Sequence, residues 1–383
     1  MKQLNPVGVV FMVLVLLAML GGSTAAFAQD AGKNRNINAL KALNEELKAV
    51  SARLEALKKQ QAILMKEAGL AEQNEPQQLA VVKGSRKTKT SDDISIRLES
   101  SRIDLKPKID ALDYAMDDPN NMGEPNGALF RVEPEAESGY RYAVWVNMPK
   151  LPFEIGIRDA QLDGTWHSGA ADTGPGALWH TRMHPDSAID SEITRADATY
   201  KLDYHVTDIE VRKHFQLFDS VDGAFLGGIR FARIQSEFYV DYVDGGNEAR
   251  YNEKNKTSGF GPIIGVESGW QLPYGFRLEG MLNLCFLHSD TEFEANDDVA
   301  KISTEYDDEL IPVFGYRLGM GWQRTAFDTW LFRLGVGYEG EYWADIYHEN
   351  RFPDDVDEGI MISTEKNMVF QGLTYTFGVE KRF

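Results

Sequence analysis

Apolar residues alternate with polar or small residues along most of the sequence after residue 93, which is the period of β-strands. In the stretch FRLEGMLNLCF, the residues Phe276, Leu278, Leu282, Leu284 and Phe286 share one face, and Arg277, Glu279, Asn283 and Cys285 share the other. The same alternation recurs and predicts ten strands. They cover residues 93–106, 136–148, 152–162, 198–218, 223–243, 257–272, 275–290, 309–323, 328–346 and 367–383.

The connections between these strands alternate between short and long. The short ones lie near 149–151, 219–222, 273–275 and 324–328, and the long ones cover 107–135, 163–197, 244–256, 291–308 and 347–366. Short periplasmic turns and long external loops are typical of outer-membrane barrels. Residues 93–383 are therefore predicted to form an all-β, transmembrane, up-and-down antiparallel barrel with both ends on the periplasmic side. A soluble β-sandwich is the alternative, but several predicted strands are longer than strands of soluble sheets usually are.

The segment before the predicted barrel begins with a secretory signal. Lys2, an apolar run over 7–20 and the sequence Ala26-Phe27-Ala28 have the layout of a cleavable signal peptide, which we place at residues 1–28. The apolar run is shorter than the ~20 residues that a transmembrane helix needs. The mature chain is thus expected outside the inner membrane, in the cell outer membrane.

A heptad pattern follows in residues 36–67. Its seam consists of Leu40, Leu43, Leu47, Val50, Leu54, Leu57, Gln61 and Leu64. Steps of three and four residues over four heptads predict a short periplasmic α-helical coiled coil, through which the protein forms a homo-oligomer. A lone helix resting on the barrel or on another periplasmic partner is the alternative. Residues 69–92 are rich in Gln, Lys, Glu and Ser and are predicted to be a flexible linker.

Composition narrows the partners further. The formal net charge is −19 and the basic residues are scattered, which argues against a nucleic-acid partner. Cys285 is the only cysteine, so no intramolecular disulfide is available. A high glycine and aromatic content suits a barrel whose strands show lipid only one of their two faces.

Alternation also assigns the faces of the strands. The apolar face must meet lipid, because a charge there costs about 2–4 kcal/mol at the bilayer midplane. The charged residues predicted to face the interior, and so to line a pore, are Arg97, Glu99, Arg141, Glu154, Arg158, Glu210, Arg212, Arg230, Glu267, Arg277, Glu279, Arg317, Arg333, Glu339 and Glu380. Tyr375, Phe377, Val379 and Phe383 lie two or four apart at the end of the last strand. We expect them to form the signal that the barrel-assembly machinery reads.

Several stretches resemble a known family. They are LDYHVTDIEVRKHF at 202–215, FLGGIRFARIQ at 225–235, FGPIIGVESGWQLPYGFRLEG at 260–280 and QGLTYTFGV at 371–379, with LDYAM at 112–116 as a further match. Together they resemble the Legionella-type pore-forming outer-membrane protein family. This resemblance implies an outer-membrane, porin-like β-barrel with no catalytic residues to carry over, and it does not cover the heptad segment.

We therefore expect a porin-like protein that allows passive diffusion of ions or small solutes. Acidic stretches such as DTEFEANDD and ENRFPDDVDEG would give the mouth a preference for cations. Ten strands are close to the size at which side chains fill a barrel, so a non-conducting structural barrel that anchors the outer membrane to periplasmic partners is an alternative. An acidic-loop adhesin or receptor is another.

No enzymatic activity and no cofactor are expected. The sequence contains no GxSxG motif, and His167, His180 and His184 have no compact zinc spacing. The acidic loops contain the oxygen ligands that Ca²⁺ prefers, but they lack the spacing of a full calcium-binding loop.

Overall fold

The computed structural model describes residues 94–118, 127–148, 151–172, 177–187, 189, 192–351 and 361–383. The predicted signal peptide, coiled coil and linker lie outside these residues. The described strands, in chain order, are β1 (Ser95–Ile109), β2 (Asp113–Asp118), β3 (Leu129–Arg131), β4 (Glu137–Asn147), β5 (Glu154–Ala171), β6 (Ala177–His180), β7 (Glu192–Ile193), β8 (Arg195–Phe218), β9 (Val221–Asp244), β10 (Asn247–Gln271), β11 (Phe276–Asn296), β12 (Lys301–Ala326), β13 (Trp330–Arg351) and β14 (Ile362–Arg382).

Ten of these strands close into one antiparallel barrel, in the order β1-β14-β13-β12-β11-β10-β9-β8-β5-β4. The first strand pairs along its whole length with the last, from Ser95 opposite Arg382 to Ile109 opposite Met368. The other edge of β1 pairs with β4. Within the apolar band, closure leaves no unpaired strand edge, which in lipid would cost several kcal/mol for each unsatisfied backbone group. The predicted ten-stranded up-and-down barrel is confirmed.

Each strand runs through two environments, as β11 illustrates. From Phe276 to Phe286 its outward positions are apolar or glycine, a length that matches the ~9–11 residues needed to cross the hydrocarbon. Beyond that point its outward residues are His288, Asp290, Glu292 and Glu294, and its inward residues include the fully buried Phe293. The polarity of the two faces therefore inverts where the strand leaves the membrane, while the strand itself continues.

This inversion corrects the predicted long external connections. The segments 244–256 and 291–308 are mostly strand, and only residues 245–246 and 297–300 connect the strands there. Gly245 and Gly246 have φ values of 53° and 114°, which favour glycine in such a tight turn. The segment 347–366 is also strand up to Arg351 and again from Ile362. The barrel thus extends well beyond the apolar band.

A second sheet, which the alternation did not predict, comes from the first two external connections. Its strand order is β3-β2-β6-β7, and we call it the cap. Tyr114 on β2 is fully buried, and its hydroxyl lies 3.0 Å from the hydroxyl of Ser168 on the inner face of β5. The hydroxyl of Tyr242 on β9 donates to the carbonyl oxygen of Tyr114 at 2.6 Å. The cap is therefore bonded to the inner wall of the upper barrel.

The barrel wall has a seam where β12 and β13 part. Their pairing runs from Ala326 opposite Trp330 to Val313 opposite Trp343, and above that level neither strand bonds to the other. Asp308 and Asp345, with φ values of 60° and 52°, lie on the two strands just above the last pair. Above Asp345 the end of β13 enters the barrel, where residues 346–350 are buried. No helix within the described part of the chain is long and apolar enough to span a membrane.

Candidate functional site

The interior of the barrel is the candidate site, and charged side chains with one tryptophan occupy its lower end. The indole of Trp145 on β4 lies between two guanidinium groups, with the Arg212 carbon 3.5 Å and the Arg97 carbon 5.3 Å from the ring centre. A Cβ atom on Gly156 of the adjacent strand would overlap this ring, so glycine makes room for it. Trp145 is 1 % exposed. It fills the lumen near the periplasmic turns.

Ion pairs hold this lower layer, which comprises Trp145 and the charged residues around it. Arg97 binds Glu154 at 3.0 Å, a contact that joins β1 to β5. Arg212 on β8 binds Glu267 on β10 at 3.0 Å, and Glu210 on its own strand at 3.1 Å. Since buried charges are tolerated only when they are paired and hydrogen-bonded, these pairs explain how so many charges fit inside a narrow barrel.

Above it lies a middle layer formed by Arg141, Asp208, Arg230, Glu339 and Glu341. Arg141 on β4 binds Glu339 on β13 through two parallel bonds of 2.7 and 2.8 Å. Arg230 on β9 makes two bonds to Asp208, at 2.7 and 2.9 Å, and a third to Glu341 on β13 at 3.1 Å. Such forked contacts fix the guanidinium planes. The Arg230–Glu341 bond crosses the interior between strands that are not neighbours.

One bond spans the full width of the barrel. The hydroxyl of Tyr204 on β8 donates to Glu341 on β13 at 2.7 Å. These two strands lie five positions apart in the ring of ten, so they are opposite each other. The Tyr204 ring also packs against Phe370, with ring centres 4.6 Å apart, and meets Trp343 edge-on. Tyr204, Trp343 and Phe370 form an aromatic layer across the barrel.

The cap closes the interior above the aromatic layer. Arg182, which follows β6, is fully buried and binds Glu349 of the inward-bent end of β13 at 2.8 Å. Its Nε donates to the carbonyl oxygen of Asp113 at 2.7 Å. Burial acts to raise the pKa of Asp113, but the guanidinium groups of Arg351 and Arg182 outweigh it and hold this pKa below its usual value. Asp113 therefore stays charged and ties the cap to β13.

A small cavity lies at the level of the middle layer. A cavity of about 20 Å³ is lined by residues of the middle layer together with Arg158, Met281 and Asn283. A cavity of this size holds about one water molecule. The described residues thus close the interior at three levels, namely the lower layer, the aromatic layer and the cap.

The charged residues singled out from the sequence all lie on inward positions of their strands. Arg158 pairs with Glu210 and Asp208, Arg277 with Asp222 and Glu279, and Arg333 with Glu380 and Glu99. Arg317 is also inward, but no ion pair of its own is found among the described residues. The arrangement brings most of these residues into mutual pairs and leaves few of them facing open space.

Sequence reasoning missed some of the residues that matter most here. Asp208 and Glu341 have the same strand parity as Glu210 and Glu339, so alternation alone could have found them. The inward position of Trp145 could not be predicted from the alternation. Its neighbours Val144 and Val146 are apolar too, so the two faces of this strand differ little in polarity.

The four residues of the predicted assembly signal lie at the end of β14. Tyr375 and Phe377 are outward and exposed, at 44 % and 49 %, and Val379 continues the same face. The backbone N–H of Phe383 donates to the carbonyl oxygen of Ile94 at 2.9 Å, beyond the last ladder pair with β1. The aromatic face of β14 is thus part of the apolar band.

Residues 93–380 match the protein family described as "Legionella pneumophila major outer membrane protein precursor". The chain belongs to this family. The match covers the whole barrel and confirms the resemblance drawn from the sequence stretches. Membership in the family, together with the closed barrel and its apolar band, places the protein in the outer membrane. No curated protein matches the sequence.

Solved outer-membrane barrels are similar to this family member in structure. The outer membrane protease OmpT of Escherichia coli has 12 % identity and a TM-score of 0.42, and the match covers 78 % of this chain and 100 % of that one. The toluene transporter TodX of P. putida has 10 % identity, a TM-score of 0.31 and coverages of 76 % and 90 %. A major outer membrane protein of Thermus thermophilus has 14 % identity, a TM-score of 0.28 and coverages of 76 % and 99 %.

These comparisons correct one expectation. From the sequence we expected no enzymatic activity. This expectation is wrong, because a barrel fold does not exclude an enzyme: one of the matched barrels is an outer membrane protease. Identities and TM-scores this low carry no argument about the chemistry of the present chain.

Proposed function

We propose that the protein is a structural barrel of the outer membrane whose lumen is closed at rest, and that it is not a general-diffusion porin. The observation that supports this most directly is the bond between Tyr204 and Glu341, which joins opposite walls of the barrel at 2.7 Å. The cavity of about 20 Å³ below it agrees with a filled interior. Barrels of about eight strands are filled by their own side chains, whereas 16–18 strands leave an aqueous channel.

The N-terminal segment gives such a barrel a periplasmic role. The heptad seam of residues 36–67 favours a coiled coil, and residues 69–92 have the composition of a flexible linker. A barrel fixed in the outer membrane and a coiled coil in the periplasm would link the membrane to periplasmic material or to further copies of the chain. This part of the proposal rests on the sequence alone.

A small, cation-preferring pore is the second candidate. It is favoured by the lower layer, which closes the interior with side chains only, so that rotations of Trp145 and Arg212 would open a path there. The outward acidic residues above the membrane, such as Asp290, Glu292 and Glu294, would raise the local cation concentration at the mouth. Opening would also require the cap and the inward-bent end of β13 to move.

Single-channel recording separates the two candidates. The full mature chain would be refolded in detergent, checked for the heat-modifiable mobility of a folded barrel, and inserted into planar bilayers. A structural barrel gives a silent membrane at low voltage. Discrete, frequent, cation-preferring steps from the folded protein would overturn the proposal in favour of the pore.

The proposed tether, in which residues 36–92 link the barrel to periplasmic material or to further copies of the chain, needs its own measurement. Full mature protein and a variant with Leu47→Asp and Leu54→Asp in the seam would be compared by chemical cross-linking in membranes and by co-sedimentation with isolated cell-wall sacculi. Cross-linked oligomers, or sedimentation that the two substitutions abolish, would support the tether. Equal behaviour of both proteins in both assays would exclude the seam from any periplasmic role.

A further inference from the structure

Three potential metal ligands meet at the seam between β12 and β13. They are Glu309 on β12, His348 on β13 and Glu365 on β14, and one ligand atom from each lies within 4.8 Å of the other two. The Nε2 atom of His348 lies 3.3 Å from a carboxylate oxygen of Glu309. Tetrahedral ligands about 2.0–2.2 Å from a zinc ion are about 3.3–3.5 Å apart. The histidine and Glu309 are already at that spacing.

The histidine is held in place from three sides. Its backbone N–H donates to the side-chain oxygen of Asn255 on β10 at 3.0 Å, and its carbonyl oxygen accepts from the Asn255 amide nitrogen at 3.0 Å. The ring of Tyr306 on β12 stacks on the imidazole with centres 3.9 Å apart and planes 13° from parallel. The Tyr306 hydroxyl in turn lies 3.1 Å from the hydroxyl of Ser363 on β14. A fixed imidazole of this kind suits a metal ligand, because little rotational freedom is lost on binding.

The two ring nitrogens of His348 differ in their surroundings. His348 is 1 % exposed, and its Nδ1 atom has no hydrogen-bond partner among the described residues. A buried polar atom without a partner costs about 1–3 kcal/mol. Among the described residues, the polar contact of the imidazole is the one from Nε2 to Glu309, so Nε2 is the nitrogen that faces the two carboxylates.

The two carboxylates also lack a counter-charge. Among the described residues, no lysine or arginine forms an ion pair with Glu309 or Glu365. Lys366, next to Glu365 in the chain, points to the opposite face of β14 and lies 3.8 Å from Glu349. Two close carboxylates that share one imidazole are an arrangement that a divalent cation stabilises.

We propose that Glu309, His348 and Glu365 bind a divalent transition-metal ion, with zinc as the best chemical match and water in the fourth position. Imidazole selects zinc and its neighbours over calcium and magnesium, which prefer oxygen ligands alone. Glu365 is exposed, so its side chain is free to approach the other two. The ion would join three strands above Val313, where β12 and β13 have no backbone bonds, and it would fix the inward-bent end of β13. The proposal does not depend on whether the lumen conducts.

The test uses untagged full mature protein in detergent, stripped with a chelator and titrated with zinc chloride by calorimetry. One zinc ion per chain is expected, with an affinity that Glu365→Gln lowers at least tenfold. The matched control is Glu305→Gln, which removes the same charge from an exposed position four residues before Glu309 on β12 and outside the cluster. This control is expected to change the affinity less than twofold.

Two further measurements decide the nature of the site. Cobalt substituted for zinc should give the absorption spectrum of a tetrahedral site with nitrogen and oxygen ligands, and Glu309→Gln should abolish it in protein that still shows heat-modifiable mobility. The proposal is overturned if zinc does not bind at micromolar concentration. It is also overturned if Glu305→Gln and Glu365→Gln weaken binding equally, or if an equal concentration of calcium displaces the zinc, since each of these results indicates a diffuse acidic surface.

Discussion

The ion pair between Arg141 and Glu339 offers the sharpest test of how the interior is held together. The two side chains are 13 % and 8 % exposed and make two parallel bonds of 2.7 and 2.8 Å. At an effective dielectric constant of 20, two unit charges 4 Å apart attract by about 4 kcal/mol. Removing one partner leaves the other charge buried and unpaired, and this costs about 3–5 kcal/mol in typical buried pairs.

Glu339→Leu and Arg141→Leu should therefore each lower the free energy of unfolding by about 3–5 kcal/mol. The double variant should recover most of that loss, because two leucines fill the space without an unpaired charge. Unfolding by guanidinium in detergent, followed by tryptophan fluorescence, gives all four corners of this double-mutant cycle. We expect a coupling free energy of at least about 3 kcal/mol, because a double variant that costs no more than either single variant leaves the full cost of one substitution as coupling.

The control is a pair of the same chemistry on the outer surface. Arg102 binds Asp104 at 2.8 Å, but the Arg102 side chain is 60 % exposed. Exposed pairs are worth about 0–1 kcal/mol, so Asp104→Leu should have little effect on stability. If Glu339→Leu costs no more than Asp104→Leu, or if the double variant is less stable than both single variants, the interior is not held by paired buried charges and the account of a filled lumen is wrong.

Three further predictions test other parts of the barrel. Trp145→Ala should lower the free energy of unfolding by about 3–5 kcal/mol and leave the bilayer silent, because the aromatic layer and the cap still close the interior; a new current from this variant would show that the lower layer alone seals the barrel. Burial lowers the pKa of His180 in the cap to about 4, from about 6.5 in an unfolded chain, so the cap should keep its full stability above pH 6.5 and lose it progressively as the pH falls toward 4. The amide hydrogen-exchange rate of β6 should rise as the pH falls through this range, and His180→Gln should abolish this pH dependence. Deleting Phe383 should slow assembly into the outer membrane, measured as the fraction of heat-modifiable protein, while Phe383→Tyr should not.

The sequence predicted the barrel because hydrocarbon demands a strict pattern. Where β11 crosses the membrane, every outward residue from Phe276 to Phe286 is apolar or glycine, and the alternation identifies the strand. Above Phe286 the outward residues become His288, Asp290 and Glu292, and the alternation continues with its polarity reversed. A search for apolar residues on one face ends at this inversion, which is why the strand extensions were predicted as loops.

The proposed metal site could not be predicted from the spacing of its residues along the chain. His348 and Glu309 are 39 residues apart in the chain, and Glu365 follows on a third strand. They meet only because β12 and β13 separate above Val313 and because the end of β13 bends into the barrel. Neither event leaves a local motif in the sequence. A sequence pattern therefore predicts which face of a strand is buried more reliably than it predicts where the strand leaves the sheet.

The closed lumen follows from the same division of environments. Within the membrane the apolar residues are committed to the outer face, so the interior is left to charged groups that must pair with each other, as Arg141 and Glu339 do. Above the membrane the outer face is polar, and the interior becomes a packed core of the kind found in soluble proteins, with Phe238 and Phe293 fully buried. Side-chain rotation could open the charged part, but opening the packed core requires movement of the cap and of the β13 backbone. Any conducting state of this barrel is therefore controlled at its extracellular half, where β13 is bound by Asn255 on one side and faces the seam on the other.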